Sequence, residues 1–401
     1  MRDWDVATFV VVAGLCVLGI VMVHSATAGR EAHGTDLGLD QAIRIGLGAI
    51  LMVAVARVSL RPLQVLAYPS YLLSLVLLVA VLAVGRTHGG ATRWLGAGAF
   101  EIQPSELAKL ATTLALALFL AEQRGGKPWR TLAISAVLAG IPFVLIILEP
   151  DLGTALVLLP VTVGMAWWSG VPFLALFSVI MPLLSIVCAF SLTTWAALMV
   201  TVVAVLAWAR AGFWRFVLVC SACIATGLLT PHAWGMLEDY QKTRILVFLN
   251  PGLDPRGSGW NVIQSRIAIG SGQLLGKGIM SGTQKALAFL PAQHTDFIFS
   301  VIGEELGYLG SQVVLALFGV LLWRLVGTAA RCRSRFASVL AIGLTIGIAT
   351  QVLINVGMTL GLLPVTGIPL PFISYGGTHV IVSLGTIGIM QSLRRNWKET
   401  S

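Results

Sequence analysis

Apolar runs about as long as a bilayer is thick recur from one end of this 401-residue chain to the other. A helix needs about 20 such residues to cross the hydrocarbon, because each residue advances it by only about 1.5 Å. Runs of this kind occupy residues 7–25, 41–57, 66–84, 106–122, 132–148 and 152–168. They continue at 171–190, 194–208, 213–230, 297–323, 336–360 and 377–393. The pattern predicts an all-α, polytopic transmembrane helical bundle of about 10–12 spans, with the short runs between Val171 and Thr230 the least regular. Residues 1–401 then form a single integral membrane domain. Only 11% of the residues are charged and 57% are hydrophobic. Soluble domains carry about 25% charged residues, so a water-soluble fold is excluded.

The charges orient the array. Arg57 and Arg61; Arg124, Lys127 and Arg130; Arg210 and Arg215; Arg324, Arg331, Arg333 and Arg335; and Arg394, Arg395 and Lys398 all fall on one side. Short loops on the other side hold little beyond Arg30, Arg86 and Arg93. Positive loops stay cytoplasmic, which puts both termini inside. The net charge of +9 is therefore a topology signal and not a nucleic-acid stripe. Arg2 is offset by Asp3 and Asp5, which favours a retained first span over a cleaved leader. Cys16, Cys188, Cys220 and Cys223 lie in apolar runs, and the Cys220-x-x-Cys223 pair lacks companion ligands, so these read as packing residues.

Residues 231–295 break the rhythm. The segment is polar and glycine-rich, too long for a simple link, and lies on the outer side. Its apolar residues, Ile263, Ile267, Leu274, Leu275, Phe289 and Leu290, predict an ordered cap on the outer membrane face.

Ionisable residues at membrane depth are costly and mark function by default. All such clusters head the outer ends of spans. Arg93 precedes Gln103-Pro104-Ser105-Glu106, with Lys109 one turn on; Ser105 is the expected N-cap, and Glu106 and Lys109 form either a self-neutralising pair or part of a site. In Glu149-Pro150-Asp151, Asp151 either caps the next helix or joins the same site. The cap offers Arg244, Gln264, Ser265 and Lys277 among flexible glycines, a composition suited to a phosphate-bearing ligand. His294, Thr295 and Asp296 open the run at 297. A helix N-terminus lowers a carboxylate's pKa and burial raises it; where burial wins, Asp296 is a base near neutral pH, and otherwise it is a cap. Gly303 and Gly307 form a small-xxx-small face for helix packing. The proline-rich loop 364–376, which contains Ser374, predicts a rigid re-entrant turn, and Asn355 is expected to hydrogen-bond across helices.

The strings RWLGAGAFEIQPSELAKLA (93–111), EPDLGTAL (149–156), YQKTRILVFLNPGLDPRGSGWNVIQSRIAIGSGQLLGKG (240–278), LPAQHTDFIFSVIGEELGYLG (290–310) and NVGMTLGLLPVTGIPLPFISYGGT (355–378) resemble the SEDS family (shape, elongation, division and sporulation). Matches run from about Arg93 to Gln391, nearer the elongation branch than the division branch. The resemblance implies a peptidoglycan glycosyltransferase polymerising lipid II, with Asp296 as the essential acid and Glu106 and Lys109 as matched positions. It also implies a bacterial cytoplasmic membrane protein working on the outer side beside a class B penicillin-binding protein. The polar residues suit inverting transfer with one base. A divalent cation (Mg or Mn) held by Glu106 or Asp151 is an expectation without a ligand cluster behind it. The resemblance implies about ten spans, with one between the EPDLGT helix and the outer loop, whereas the apolar length here allows an extra helical pair between Val171 and Thr230. A flippase for lipid-linked precursors is the rival reading, and a scaffold for cell-wall enzymes a third. Against the flippase stand the one-sided polar residues and the lack of an inverted repeat.

Overall fold

The structure, a computed structural model, describes residues 4–27, 37–88, 91–96, 101–123, 126–236, 259–282 and 292–399, with Lys242, Leu246 and Gly252. Each apolar run becomes a helix. They are α1 (Val6–Thr27), α2 (Leu37–Val55), α3 (Leu60–Val84), α4 (Pro104–Glu122), α5 (Pro128–Leu148) and α6 (Leu152–Trp168). Next come α7 (Phe173–Cys188), α8 (Leu192–Trp208) and α9 (Phe213–Met236). After a short cap helix, α10 (Trp260–Ser271), come α11 (Ile298–Arg331), α12 (Arg335–Thr359) and α13 (Gly377–Arg395). Eight of these are long and apolar enough to cross a membrane by themselves, and α6, α7 and α8 are shorter apolar helices. The protein is a multi-pass membrane helical bundle. One small departure from all-α is an antiparallel hairpin between α3 and α4, β1 (Arg86–His88) with β2 (Ala91–Trp94).

Two helices form the axis of the bundle. In α4 and α12, 78% and 67% of the central window is buried, against 17–39% in the other long spans. Their neighbours are α3 and α6 around α4, and α6 and α11 around α12, while α13 packs on α2. Outward-facing side chains such as Leu72, Leu73, Val76 and Leu228 are exposed, as they must be where lipid is the solvent. Helices α7, α8 and α9 build a core of their own from Phe177, Leu198, Val202, Leu206, Val219 and Cys223. Cys223 thus packs, as its position in an apolar run implies.

The cap segment after α10 inserts against a broken helix. Gly307 interrupts α11 with φ 67 and ψ −165, freeing backbone groups that a continuous helix would bond internally. The strap at 272–278 takes them up: Lys277 N–H donates to Glu304 O at 3.0 Å and Gly278 N–H to Glu305 O at 3.0 Å. In return Tyr308 N–H donates to Gln273 O at 2.8 Å and Leu309 N–H to Leu274 O at 3.1 Å. Non-helical backbone at this depth is tolerated because protein satisfies it. Of the small-residue face, Gly303 packs on the cap helix α10 at Ile269, as helix packing implies, whereas Gly307 receives the strap. A side chain would end the approach, since a Cβ on Gly276 would sit 2.2 Å from Glu305 O.

The re-entrant loop 364–376 is buried at Ile368, Leu370, Phe372, Ile373 and Ser374. Asn355 does not bridge two helices, as expected, but ties two loops: Nδ2 donates to Asp296 O at 2.9 Å and to Ile368 O at 2.7 Å. Both acceptors are backbone carbonyls in non-helical segments, where no helix ladder supplies a donor, so the amide satisfies them.

Candidate active site

Four helices, α4, α6, α11 and α13, start at one place: hydrogen bonds stitch the first turns of α4, α6 and α13 together, and the turn before α11 is tied to the segment before α13, where Tyr375 N–H donates to His294 O at 2.9 Å. Gln103, the N-cap of α4, donates its backbone N–H to Thr378 Oγ1 at 3.2 Å in the first turn of α13. Thr378 Oγ1 in turn donates to Glu101 O at 3.3 Å. The N-cap of α4 is therefore Gln103 with Pro104 following, not Ser105, because proline at the first helical position sacrifices no needed N–H. Ser105 turns its hydroxyl to Asp151 Oδ2 at 3.1 Å.

Asp151 is a hub. It caps α6 by accepting from Thr154 N–H at 3.3 Å. It also accepts from Gln103 Nε2 at 3.0 Å and faces Arg93 NH1 at 3.9 Å. Asp151 thus caps its helix and also lies in the polar cluster at the helix starts. The Arg93 guanidinium further donates to Glu149 O at 3.4 Å and to Pro150 O. Glu149 itself is fully buried, and neither carboxyl oxygen has a hydrogen-bond partner among the described residues. Burial, then the Asp151 charge, push its carboxyl up to about 8 despite Arg93.

Glu106 and Lys109 lie one turn into α4, buried to 3% and 8% exposure. Lys109 Nζ donates to Glu106 Oε1 at 2.8 Å, and the other oxygen, Oε2, meets His379 Nδ1 at 3.2 Å. They border a cavity of about 50 Å³ between α4, α6, α12 and α13, room for one or two waters.

Asp296 stands just before α11, half-buried. Phe297 is the N-cap and receives no side-chain cap bond, so Asp296 is not held there as a helix cap. Burial pushes its carboxyl up to about 6, opposed by the Thr295 side chain and Arg93, helped by Asp151, and opposed again by His379. Arg93, Asp151 and His379 all act on this carboxyl. Gly367, at φ +73, leaves room beside it, since a Cβ there would come within 3.3 Å of Asp296 Oδ2. Ser374 supports the turn: its hydroxyl donates to Thr295 O at 2.6 Å and accepts from Leu370 N–H at 2.7 Å. His294 packs edge-on to Tyr375 with centroids 5.6 Å apart.

The remaining expected residues separate from this cluster. Ser265 shares a hydrogen bond with Ser300 Oγ at 2.6 Å and donates to Thr359 O at 2.6 Å, fastening α10 to α11 and α12. Gln264 is buried beside it on α10. Lys277 pairs with Glu304 Oε1 at 2.7 Å, a different ion pair from that of Lys109. Arg244 lies outside the described residues. Among the described residues no group of three or more His, Cys, Asp and Glu could hold a metal. Asp151 and Glu106, the expected holders, have both oxygens engaged by protein donors. These residues do not fit a preformed cation site. Sequence reasoning missed His379; the rule that flagged Asp296, an ionisable residue heading an apolar run, applies equally to it.

A polytopic membrane protein with buried acids gathered at four helix starts is the class this geometry defines. The family described as cell cycle protein, covering FtsW, RodA and SpoVE, matches residues 6–193 and 173–399, and the chain belongs to it. Peptidoglycan glycosyltransferase MrdB of Escherichia coli K12 is 36% identical over 390 residues, covering 96% of this chain and 94% of that one. Peptidoglycan glycosyltransferase RodA of Treponema pallidum is 31% identical, covering 98% of each. A chain from a solved structure on coordination of polymerization and crosslinking by a peptidoglycan synthase complex superposes with TM-score 0.74 at 31% identity, covering 100% of both chains. The crystal structure of the rod shape determining protein RodA from Thermus thermophilus gives TM-score 0.64 at 29% identity, covering 99% of this chain and 98% of that one.

Proposed function

We propose that the protein is a peptidoglycan glycosyltransferase that polymerises lipid II into glycan strands for cell elongation, with Asp296 as general base on the extracytoplasmic side. The observation that carries the mechanism is the convergence of the four helix N-termini around Asp296, Asp151 and Glu106. Helix starts present unpaired N–H groups and a partial positive charge, the environment in which a diphosphate is held.

The acceptor's sugar hydroxyl gives its proton to the Asp296 carboxylate as its oxygen attacks the donor's anomeric carbon. The bond from that carbon to the diphosphate breaks, and its electron pair leaves with the polyprenyl diphosphate. Attack opposite the departing group inverts the anomeric centre, so one base suffices and no covalent intermediate forms. Charge developing on the leaving diphosphate is received by Lys109, by Arg93 and by the helix N-termini. The apolar surface of the bundle accommodates the polyprenyl chain alongside membrane lipids. A class B penicillin-binding protein, which would crosslink the product, is the proposed partner, supported by the similarity to the synthase-complex chain.

Purified protein incubated with labelled lipid II should yield polymer resolved on a gel. Transbilayer movement of lipid II without polymer would favour the flippase instead. Lys109→Ala should lower polymer yield about 10–100-fold, less than loss of the base, because Arg93 and the helix N-termini still face the diphosphate. The lysine and arginine bias further predicts that a cysteine placed at residue 280 is labelled from outside intact cells, whereas one at residue 398 is not. The reverse pattern would sink the proposed sidedness.

A further inference from the structure

We propose that His379 is a positioning residue for the transfer: by bonding the Glu106 oxygen that Lys109 leaves free, it fixes the carboxylate and so the place of the Lys109 ammonium. The inference rests on the glycosyltransferase reading above. A glutamate's terminal torsion is broad and weakly restrained. An ion pair one helical turn apart therefore leaves the carboxylate free to swing, and the ammonium swings with it. Here Oε1 meets Lys109 at 2.8 Å and Oε2 meets His379 Nδ1 at 3.2 Å. Two partners on opposite oxygens, one from α4 and one from α13, hold the group in a single orientation.

Burial makes the third member consequential. Glu106, Lys109 and His379 are 3%, 8% and 4% exposed, and a desolvated ion pair requires its remaining lone pairs to be bonded. Without His379, Glu106 Oε2 has no other donor among the described hydrogen bonds. The imidazole is itself held in place. Thr378, the preceding residue, is bonded to both Gln103 and Glu101, and Gln103 also grips Asp151. His379 thus belongs to the seam that carries the site's network. Its Nε2 is buried without a partner among the described residues, a cost that structure alone does not explain, since an apolar side chain would fill a purely packing position more cheaply.

The test is the kinetics of lipid II polymerisation by full-length His379→Asn, His379→Gln and His379→Leu proteins. Asparagine places its amide nitrogen where Nδ1 lies, while glutamine places it nearer Nε2. The Asn variant should keep kcat within about threefold of wild type. The Gln and Leu variants should lose about 10–100-fold in kcat with KM changing less than about threefold, since the ammonium acts mainly on charge that develops in the transition state. In a Lys109→Ala background the same Gln substitution should cost less than about threefold, because there is no ammonium left to place. Equal kcat for the Asn and Gln variants, whether high or low, would overturn the proposal, as would an undiminished Gln effect without Lys109. Asn and Gln are close in polarity and volume, so the comparison survives poor folding of the Leu variant. Wild-type protein that makes no polymer would instead overturn the enzymatic reading itself.

Discussion

Asp296→Asn should abolish glycan polymerisation while leaving the folded protein and its lipid II binding largely intact. The amide is the size of the carboxylate, and the side chain caps no helix, since Phe297 occupies that position without a side-chain bond. The backbone carbonyl of Asp296, which Asn355 holds at 2.9 Å, is unchanged by the substitution. What is lost is the ability to take a proton, and removal of a positioned base usually costs about 10²–10⁴-fold in rate. That corresponds to about 3–5 kcal/mol of barrier, too much to arise from a packing change between isosteres. Polymer assayed against a folding control measured by size exclusion checks it. Wild-type yield from a well-folded variant removes Asp296 from the mechanism.

Gly276→Ala should destabilise the fold strongly. Gly276 has φ +79, a conformation that costs an L-residue about 1–3 kcal/mol. The added Cβ would lie 2.2 Å from Glu305 O and 2.6 Å from Leu306 C, both backbone atoms that cannot rotate away. Relief requires pulling the strap from the break at Gly307, which strands Tyr308 and Leu309 N–H groups at membrane depth. Together these terms amount to about 3 kcal/mol or more. Thermal unfolding in detergent should shift clearly downward for Gly276→Ala and much less for Gly270→Ala, where a Cβ meets nothing within 4 Å. Equal shifts would show that the strap's close approach is not what stabilises this region.

The spans were legible because lipid demands unbroken apolar length, and all twelve runs became helices. Their ends were less so: α4 begins at Pro104 and α11 runs on to Arg331, because helices continue past the hydrocarbon into polar sequence. Within the site, Asp151, Glu106 and Asp296 stood out as acids heading apolar runs. His379, in the first turn of α13, meets the same criterion, but the glycines and prolines just before it mask the helix start. Other features depend on partners far along the chain. The break at Gly307 is stable only because residues 272–278 fill it, and the two bonds of Asn355 reach loops on either side of it in sequence. Lys277 reads in the sequence as a cap residue suited to a phosphate-bearing ligand, yet Glu304 pairs with it; a lysine's partner is set by the fold and not by its neighbours in the chain.

The most direct measurement of the central claim is kcat/KM for lipid II polymerisation as a function of pH, because this ratio reports the free enzyme's essential base. The Asp296 carboxyl, raised by burial to about 6, must be ionised to accept the hydroxyl proton. Activity should therefore fall as pH drops through about 6 and level off above it. A rate that stays flat down to the ordinary aspartate value of 3.8 would contradict Asp296 as the buried base.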